Sequence, residues 1–288
     1  VLAKPFLIGL LLTGLSLVLP AQAVTFQTRM ENVSWDVTGD QFECRLSQTI
    51  EGYGEAVFVR RAGERPTFRL NALHNPMSPG QAQVWNEAPL WRPGTNAQLV
   101  GQAQVREGSL VMTLPEQPTA RLLAGLSAGL LPTVQRSSWG NAQEPVRVVV
   151  SSVGYNDAWE RFRSCFAGLL PMNFDQVSNS VISFASGGSQ LTGEARTVLD
   201  AVLAYFKADD QIKGIQLDGH SDNQGNRLDN RELSRQRALA VQSYLVERGV
   251  PEDLFTIRFH GERYPVANNR TADGRAQNRR VGLRLDRE

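Results

Sequence analysis

Two kinds of hydrophobic patterning divide the chain. Up to about Ser152, apolar and polar residues alternate over short stretches: "FECRLSQTI", "GEAVFVRR", "PTFRLNA", "QLVGQAQV", "SLVMTL" and "PVRVVVSS", with Gly, Pro and Asn between them. Successive side chains of a strand point to opposite faces, so this two-residue period predicts half-buried strands joined by tight turns. The pattern fits a β-sandwich or barrel. One helix is predicted to close it. In "NDAWERFRSCFAGLLP", Phe162, Cys165, Phe166 and Leu169 share a helical face, with Asn156 or Asp157 as the cap and Pro171 beyond the end.

After Pro171 the period changes. "VISFA", "IQLDGH", "FTIRFHGE" and "RVGLRLD" have strand character, and two long amphipathic helices separate them. The first helix carries Ala195, Val198, Leu199, Val202, Leu203 and Phe206 at helical spacing behind Thr192 as cap; the second spans 231–248. Strands alternating with helices predict a two-layer α/β domain. The whole is therefore α+β, with a β-rich domain over 24–170 and an α/β domain over 171–288. The junction falls near Leu170 to Val177.

The first residues have a different character. Lys4 precedes an apolar run from Phe6 to Leu19, followed by Pro20 and Ala21-Gln22-Ala23. This is the pattern of a secretory signal peptide, 1–23, cleaved ahead of Val24. The competing reading is a membrane anchor, but the run is shorter than the roughly twenty residues a spanning helix needs. No Cys follows it to accept a lipid, and no transmembrane segment is expected in the mature chain.

Export changes how the remaining composition is read. Without Lys4, the 30 basic residues fall to 29 and balance the 29 acidic ones, so a nucleic-acid partner is not expected. Two cysteines, Cys44 and Cys165, in an oxidising compartment read first as one disulfide, the alternative being two unrelated buried thiols. A bridge would close a loop on the order of a hundred residues, for which chain entropy allows roughly 4 to 5 kcal/mol of stabilisation.

The chemistry concentrates in "GHSDNQGNRLDNRELSRQRALAV", 219–241. His220, Ser221 and Asp222 are adjacent, and adjacent residues on an extended segment point apart, which makes a poor hydrolytic triad. The Ser also lacks the flanking glycines of a nucleophile elbow. The mature chain has His74, His220 and His260 and no H-E-x-x-H spacing, so no metal site and no cofactor are expected. The second helix is more specific. At about 100° per residue, Arg237 falls within the apolar arc of Leu233, Ala240, Val241 and Tyr244. A buried guanidinium needs compensation, and Asp222, at the end of the preceding strand, is the obvious candidate. The readings stay open: a structural role, as an internal ion pair or as an Arg that snorkels past its apolar neighbours, or a clamp in which Asp222 takes a ligand ammonium and Arg237 a ligand carboxylate.

These residues, with "FHGERYPVANN" and "GRAQNRRVGLRL", resemble the OmpA-like carboxy-terminal domain over about 177–286. The resemblance implies non-covalent binding of the diaminopimelate side chain of the peptidoglycan stem peptide. It assigns the two ends of that side chain to Asp222 and Arg237. Ser221, Asn230, Phe184 and Arg279 or Arg280 match the neighbouring motif positions. Two departures stand out: the usual G-H-T-D is G-H-S-D, which keeps the hydroxyl, and Ala185 replaces the acidic residue that often follows the strand phenylalanine.

The amino-terminal stretches "FECRLSQTIEGYGEAVFVRR", "WRPG" and "SSVGYNDAWERFRSCFAGLL" resemble the MotY family of secreted flagellar-motor proteins. That resemblance implies paired cysteines, a periplasmic location at the flagellar basal body, and ring and stator proteins as partners. The expected protein is a non-enzymatic motor scaffold; the alternative is a general envelope tether linking another component to peptidoglycan. A wall hydrolase is disfavoured, because no nucleophile, metal set or carboxylate pair stands out. "HNPMSPGQ" and "APLWRPGT" are candidate binding loops of the β domain, with core or rim packing of Trp85 and Trp91 as the alternative.

Overall fold

In a computed structural model that describes residues 23–139 and 144–288, the alternating half forms ten strands. They are β1 (Val24–Phe26), β2 (Trp35–Gly39), β3 (Glu43–Ile50), β4 (Gly54–Arg61), β5 (Thr67–Ala72), β6 (Gly80–Glu87), β7 (Gln98–Val105), β8 (Leu110–Leu114), β9 (Leu131–Ser137) and β10 (Pro145–Val149). They make two five-stranded sheets, β1-β10-β9-β6-β7 and β2-β3-β4-β5-β8, rather than a closed barrel. Inward residues of both sheets, such as Leu46, Phe58, Phe68, Val84, Val134 and Val148, share one core. The six stretches with clear alternation are β3, β4, β5, β7, β8 and β10. Strand β6 is harder to read because its inward series is Ala82, Val84 and Asn86, small or polar.

Two helices complete this half. The alternation does not predict α1 (Glu116–Ser127), which buries Leu122, Leu123 and Leu126; Pro118 sits in its first turn, where a missing N–H costs nothing. The second, α2 (Tyr155–Ala167), is the expected closing helix, but its cap is Gly154, at φ 70°, not Asn156 or Asp157. That left-handed backbone is open to glycine without a Cβ penalty, so the helix starts earlier than the side-chain caps suggest. Cys165 on α2 is bonded to Cys44 on β3, with their Cα atoms 6.0 Å apart, which pins the helix to the sheet.

The second half begins with a short helix, α3 (Phe174–Val177), capped by Asn173. Then follow β11 (Asn179–Ser183), α4 (Gly193–Ala208), β12 (Ile212–Gly219), α5 (Arg227–Val246), β13 (Phe255–Phe259), α6 (Ala272–Asn278) and β14 (Arg280–Arg287). The sheet order is β11-β14-β12-β13, with β12 and β13 parallel and the other pairs antiparallel. One face of each strand is buried against α4 and α5, around Ile182, Leu199, Leu217, Val241 and Leu283, giving the two layers. Thr192 caps α4 as expected. Helix α5 starts at Arg227 behind Asn226, a turn earlier than the apolar period indicates.

The two cores meet at Phe42, whose ring lies 5.5 Å from that of Tyr205 on α4. Hydrogen bonds from Asn173 to Glu64 (2.7 Å), Leu170 to Gln41 (2.9 Å) and Gln176 to Gly63 (3.3 Å) flank this contact. The predicted secretory segment, 1–23, lies outside the described residues except for Ala23. Among those described, no helix is long and apolar enough to cross a membrane.

Candidate functional site

The quoted stretch lies where the parallel strands β12 and β13 end and α5 begins. Its backbone is held from both sides: the His220 N–H bonds to Arg280 O (2.9 Å) and the Ser221 N–H to Gly261 O (2.9 Å). Gly219 lets α5 approach, since a Cβ there would stand 2.1 Å from Ser234 O. Asp222 is thereby presented at the strand end, buried, with Oδ1 accepting from the Gln224 N–H at 3.2 Å.

Asp222 and Arg237 are both buried, yet they do not pair directly. Arg237 is 0% exposed and spends its guanidinium on three carbonyls: Gly188 O (2.8 Å), His220 O (3.0 Å) and Ala185 O (3.1 Å). Its Cζ lies 5.4 Å from the centroid of the Phe184 ring. Burial lowers its pKa to about 10, with the Asp222 charge acting in the opposite direction. The partner of Asp222 is Arg279, whose Nη1 lies 3.0 Å from Asp222 Oδ2 and whose Nε donates to Phe184 O at 3.1 Å. Spacing alone missed this pair because Arg279 is 57 residues away in sequence and reaches the site only through the β11-β14-β12 order.

The other expected residues divide. Phe184 lies just past β11 and is buried beside Arg237. The Ser221 hydroxyl donates to Asp222 O at 2.9 Å, and Asn230 donates to Glu262 at 2.8 Å, a partner not anticipated from sequence. Arg280 does not join them: it donates to Tyr264 O at 3.2 Å, because consecutive residues entering β14 point to opposite faces. Asn278, read only as part of N-R-R, is wholly buried and fixes the 266–269 loop through Val266 N, Ala267 N, Ala267 O and Asn269 Oδ1.

A second polar group lies on the Arg280 side. The His220 and His260 rings stack 4.9 Å apart, and His260 Nε2 is 2.8 Å from Asp218 Oδ1. Arg258 forks onto the same carboxylate. Burial resists ionisation of Asp218, but the Arg258 and His260 hydrogen bonds outweigh it and lower its pKa. Burial, with Arg280 and His260 nearby, lowers the pKa of His220 to about 4, and its Nδ1 has no partner. Neither histidine contacts the Ser221 hydroxyl, and the described residues hold no three-member His, Cys, Asp or Glu group able to bind a metal.

The site brings together a buried carboxylate, an arginine at its rim and another beneath a turn. Known proteins resemble the chain in two separate stretches. The model of the MotY N-terminal domain matches residues 26–171, and that of the OmpA family matches 183–279. The chain is 27% identical over 257 residues to the sodium-type flagellar protein MotY of Vibrio parahaemolyticus, covering 88% of this chain and 87% of that one. It is 36% identical over 115 residues to outer membrane protein A of Bordetella avium, covering 40% and 59%. It is 37% identical over 107 residues to the peptidoglycan-binding protein ArfA of Mycobacterium tuberculosis, covering 37% and 32%. Among solved structures, the peptidoglycan-associated lipoprotein of Burkholderia pseudomallei matches at 26% identity and TM-score 0.35, over 37% of this chain and 89% of that one. With a MotY N-terminal domain followed by an OmpA-family domain, the chain belongs to the MotY family of flagellar proteins.

Proposed function

We propose that the chain is a periplasmic, non-enzymatic tether of the flagellar motor, binding peptidoglycan through the OmpA-family domain and the basal body or stator through the β domain. The observation that carries the wall-binding half is the buried Asp222–Arg279 pair beside Arg237. The far end of a diaminopimelate side chain carries an ammonium and a carboxylate on one carbon. Inserted at this site, the ammonium meets Asp222 and the carboxylate meets arginine N–H groups, so one ion pair is exchanged for two and no buried charge is left uncompensated. The three carbonyl bonds of Arg237 hold its wholly buried guanidinium beneath the site, where its charge favours a ligand carboxylate above it. In this reading Phe184, beside Arg237, Ser221, bonded to the Asp222 carbonyl, and Asn230, bonded to Glu262, support the site.

The motor-binding half is supported by the MotY N-terminal match and by a relative named as a flagellar protein. Tagging the full-length chain in cells tests it. Foci that depend on the flagellum support the reading; a uniform peripheral rim, unchanged when flagella are absent, would mean a general envelope tether. A secreted fragment of 24–168 should still form foci, and a fragment of 172–288 should not.

A further inference from the structure

A concavity of about 450 Å³ opens beside the candidate site, on the β13 side of α5. Three guanidinium groups line it: Arg227 and Arg231 from the first turns of α5, and Arg263 from the loop after β13. Among the described residues none of the three has an ion-pair or hydrogen-bond acceptor for its side chain; Arg231 only lies over the Phe259 ring, at 5.0 Å. The carboxylates nearby do not pair with these three. Glu232 holds Arg235, Asp229 accepts from Asn226, Asp218 holds Arg258 and His260, and Glu262 accepts from Asn230. The chain as a whole carries a net charge of only +1, so this local excess is not a consequence of a basic protein.

With three guanidinium groups against the single Glu262 carboxylate, the lining keeps a positive excess, which lowers the cost of bringing in an anion. Arginine also presents a planar fork that matches a carboxylate. The hollow adjoins the candidate site through shared backbone: Gly261 lines it and accepts the Ser221 N–H, one residue before Asp222, and Glu262 lines it while accepting from Asn230. We infer that the concavity is a second subsite for the peptidoglycan stem peptide, taking the free α-carboxylate of the γ-linked D-glutamate that precedes diaminopimelate. This inference rests on the wall-binding reading of Asp222. The mixed lining, with exposed Leu228 and part-buried Phe259, suits a peptide chain better than a bare inorganic anion.

The test uses the full mature chain and two synthetic probes: L-Ala-γ-D-Glu-meso-diaminopimelate, and the same peptide with the D-glutamate carboxylate converted to a carboxamide. The proposal expects the carboxylate peptide to bind the wild type about tenfold more tightly than the carboxamide, the sum expected of exposed ion pairs. The triple variant Arg227→Gln, Arg231→Gln, Arg263→Gln should lose that difference while binding the carboxamide peptide as the wild type does. Equal wild-type affinity for both peptides would overturn the subsite. So would a triple variant that keeps full preference for the carboxylate, a result that would leave the hollow to an acidic segment of a protein partner. Asp222→Ala separates this from the reading beneath it: undiminished binding of both peptides by Asp222→Ala overturns the wall-binding site itself. Loss of both with Asp222→Ala, together with an indifferent triple variant, overturns only the second subsite.

Discussion

Arg279 Nη1 stands 3.0 Å from Asp222 Oδ2, with the two side chains only 15% and 8% exposed. Arg279 enters from the start of β14 and Asp222 from beyond the end of β12, so the pair also ties two neighbouring strand ends across the mouth of the site. Removing one partner of such a pair leaves a buried charge without its counter-ion. Arg279→Ala should therefore destabilise the carboxy-terminal domain by about 3 kcal/mol. Denaturant unfolding followed by a probe in that domain measures this. The double variant Asp222→Asn, Arg279→Met should recover most of the stability while failing to bind peptidoglycan.

His220 gives the domain a pH dependence with a definite sign. Its pKa is depressed from 6.5 to about 4 in the folded protein, so below pH 6.5 the unfolded chain binds a proton that the folded chain refuses. Stability is full above the unfolded value and declines as pH falls from about 6.5 towards 4. The loss attributable to this group is on the order of 2 kcal/mol, allowing for solvent screening. His220→Asn should flatten the profile of unfolding free energy between these pH values. An unchanged slope would mean that another group carries the dependence.

Cys44 and Cys165 are separated by 121 residues and join β3 to α2. Replacing both with Ser frees a loop whose closure is worth about 4 to 5 kcal/mol in the chain-entropy model. Only the β domain should weaken, because neither sulfur belongs to the second core. A two-probe unfolding experiment, one reporter in each domain, should show the β transition moving and the other staying in place.

Phe42 projects from the β2–β3 turn into the second core, against Tyr205. Phe42→Ala removes part-buried apolar surface worth about 1 to 2 kcal/mol. The expected outcome is a lower unfolding midpoint for the OmpA-family domain, with the cystine-linked domain changed less. Equal loss in both would show that Phe42 serves its own domain instead.

How much of this was visible in the sequence varied with how local the cause is. Strands with large inward residues, such as β3 with Cys44, Leu46 and Ile50, were legible because the period and the burial coincide. Strand β6 and helix α1 were not, since Asn86 interrupts the apolar series of one and Pro118 lies inside the other. Arg237 stands out in the sequence because a charge on an apolar helical arc is locally anomalous. Its acceptors were beyond reach, because the carbonyls of Ala185, Gly188 and His220 are backbone groups brought in by two separate loops. The Asp222–Arg279 pair likewise depends on strand order. Arg280, its neighbour, shows how one residue of register moves a side chain to the opposite face.

The central claim is that Asp222 holds the diaminopimelate ammonium. Sedimentation of the mature chain with purified sacculi, with free meso-diaminopimelate as competitor, tests it most directly. The wild type should cosediment and be released by the competitor. Asp222→Asn, folded by its unfolding midpoint, should bind at least about 30-fold more weakly, the loss expected when one side of a desolvated charge contact is removed. A folded Asp222→Asn that sediments as well as the wild type, or wild-type binding that free diaminopimelate does not compete, would contradict the account.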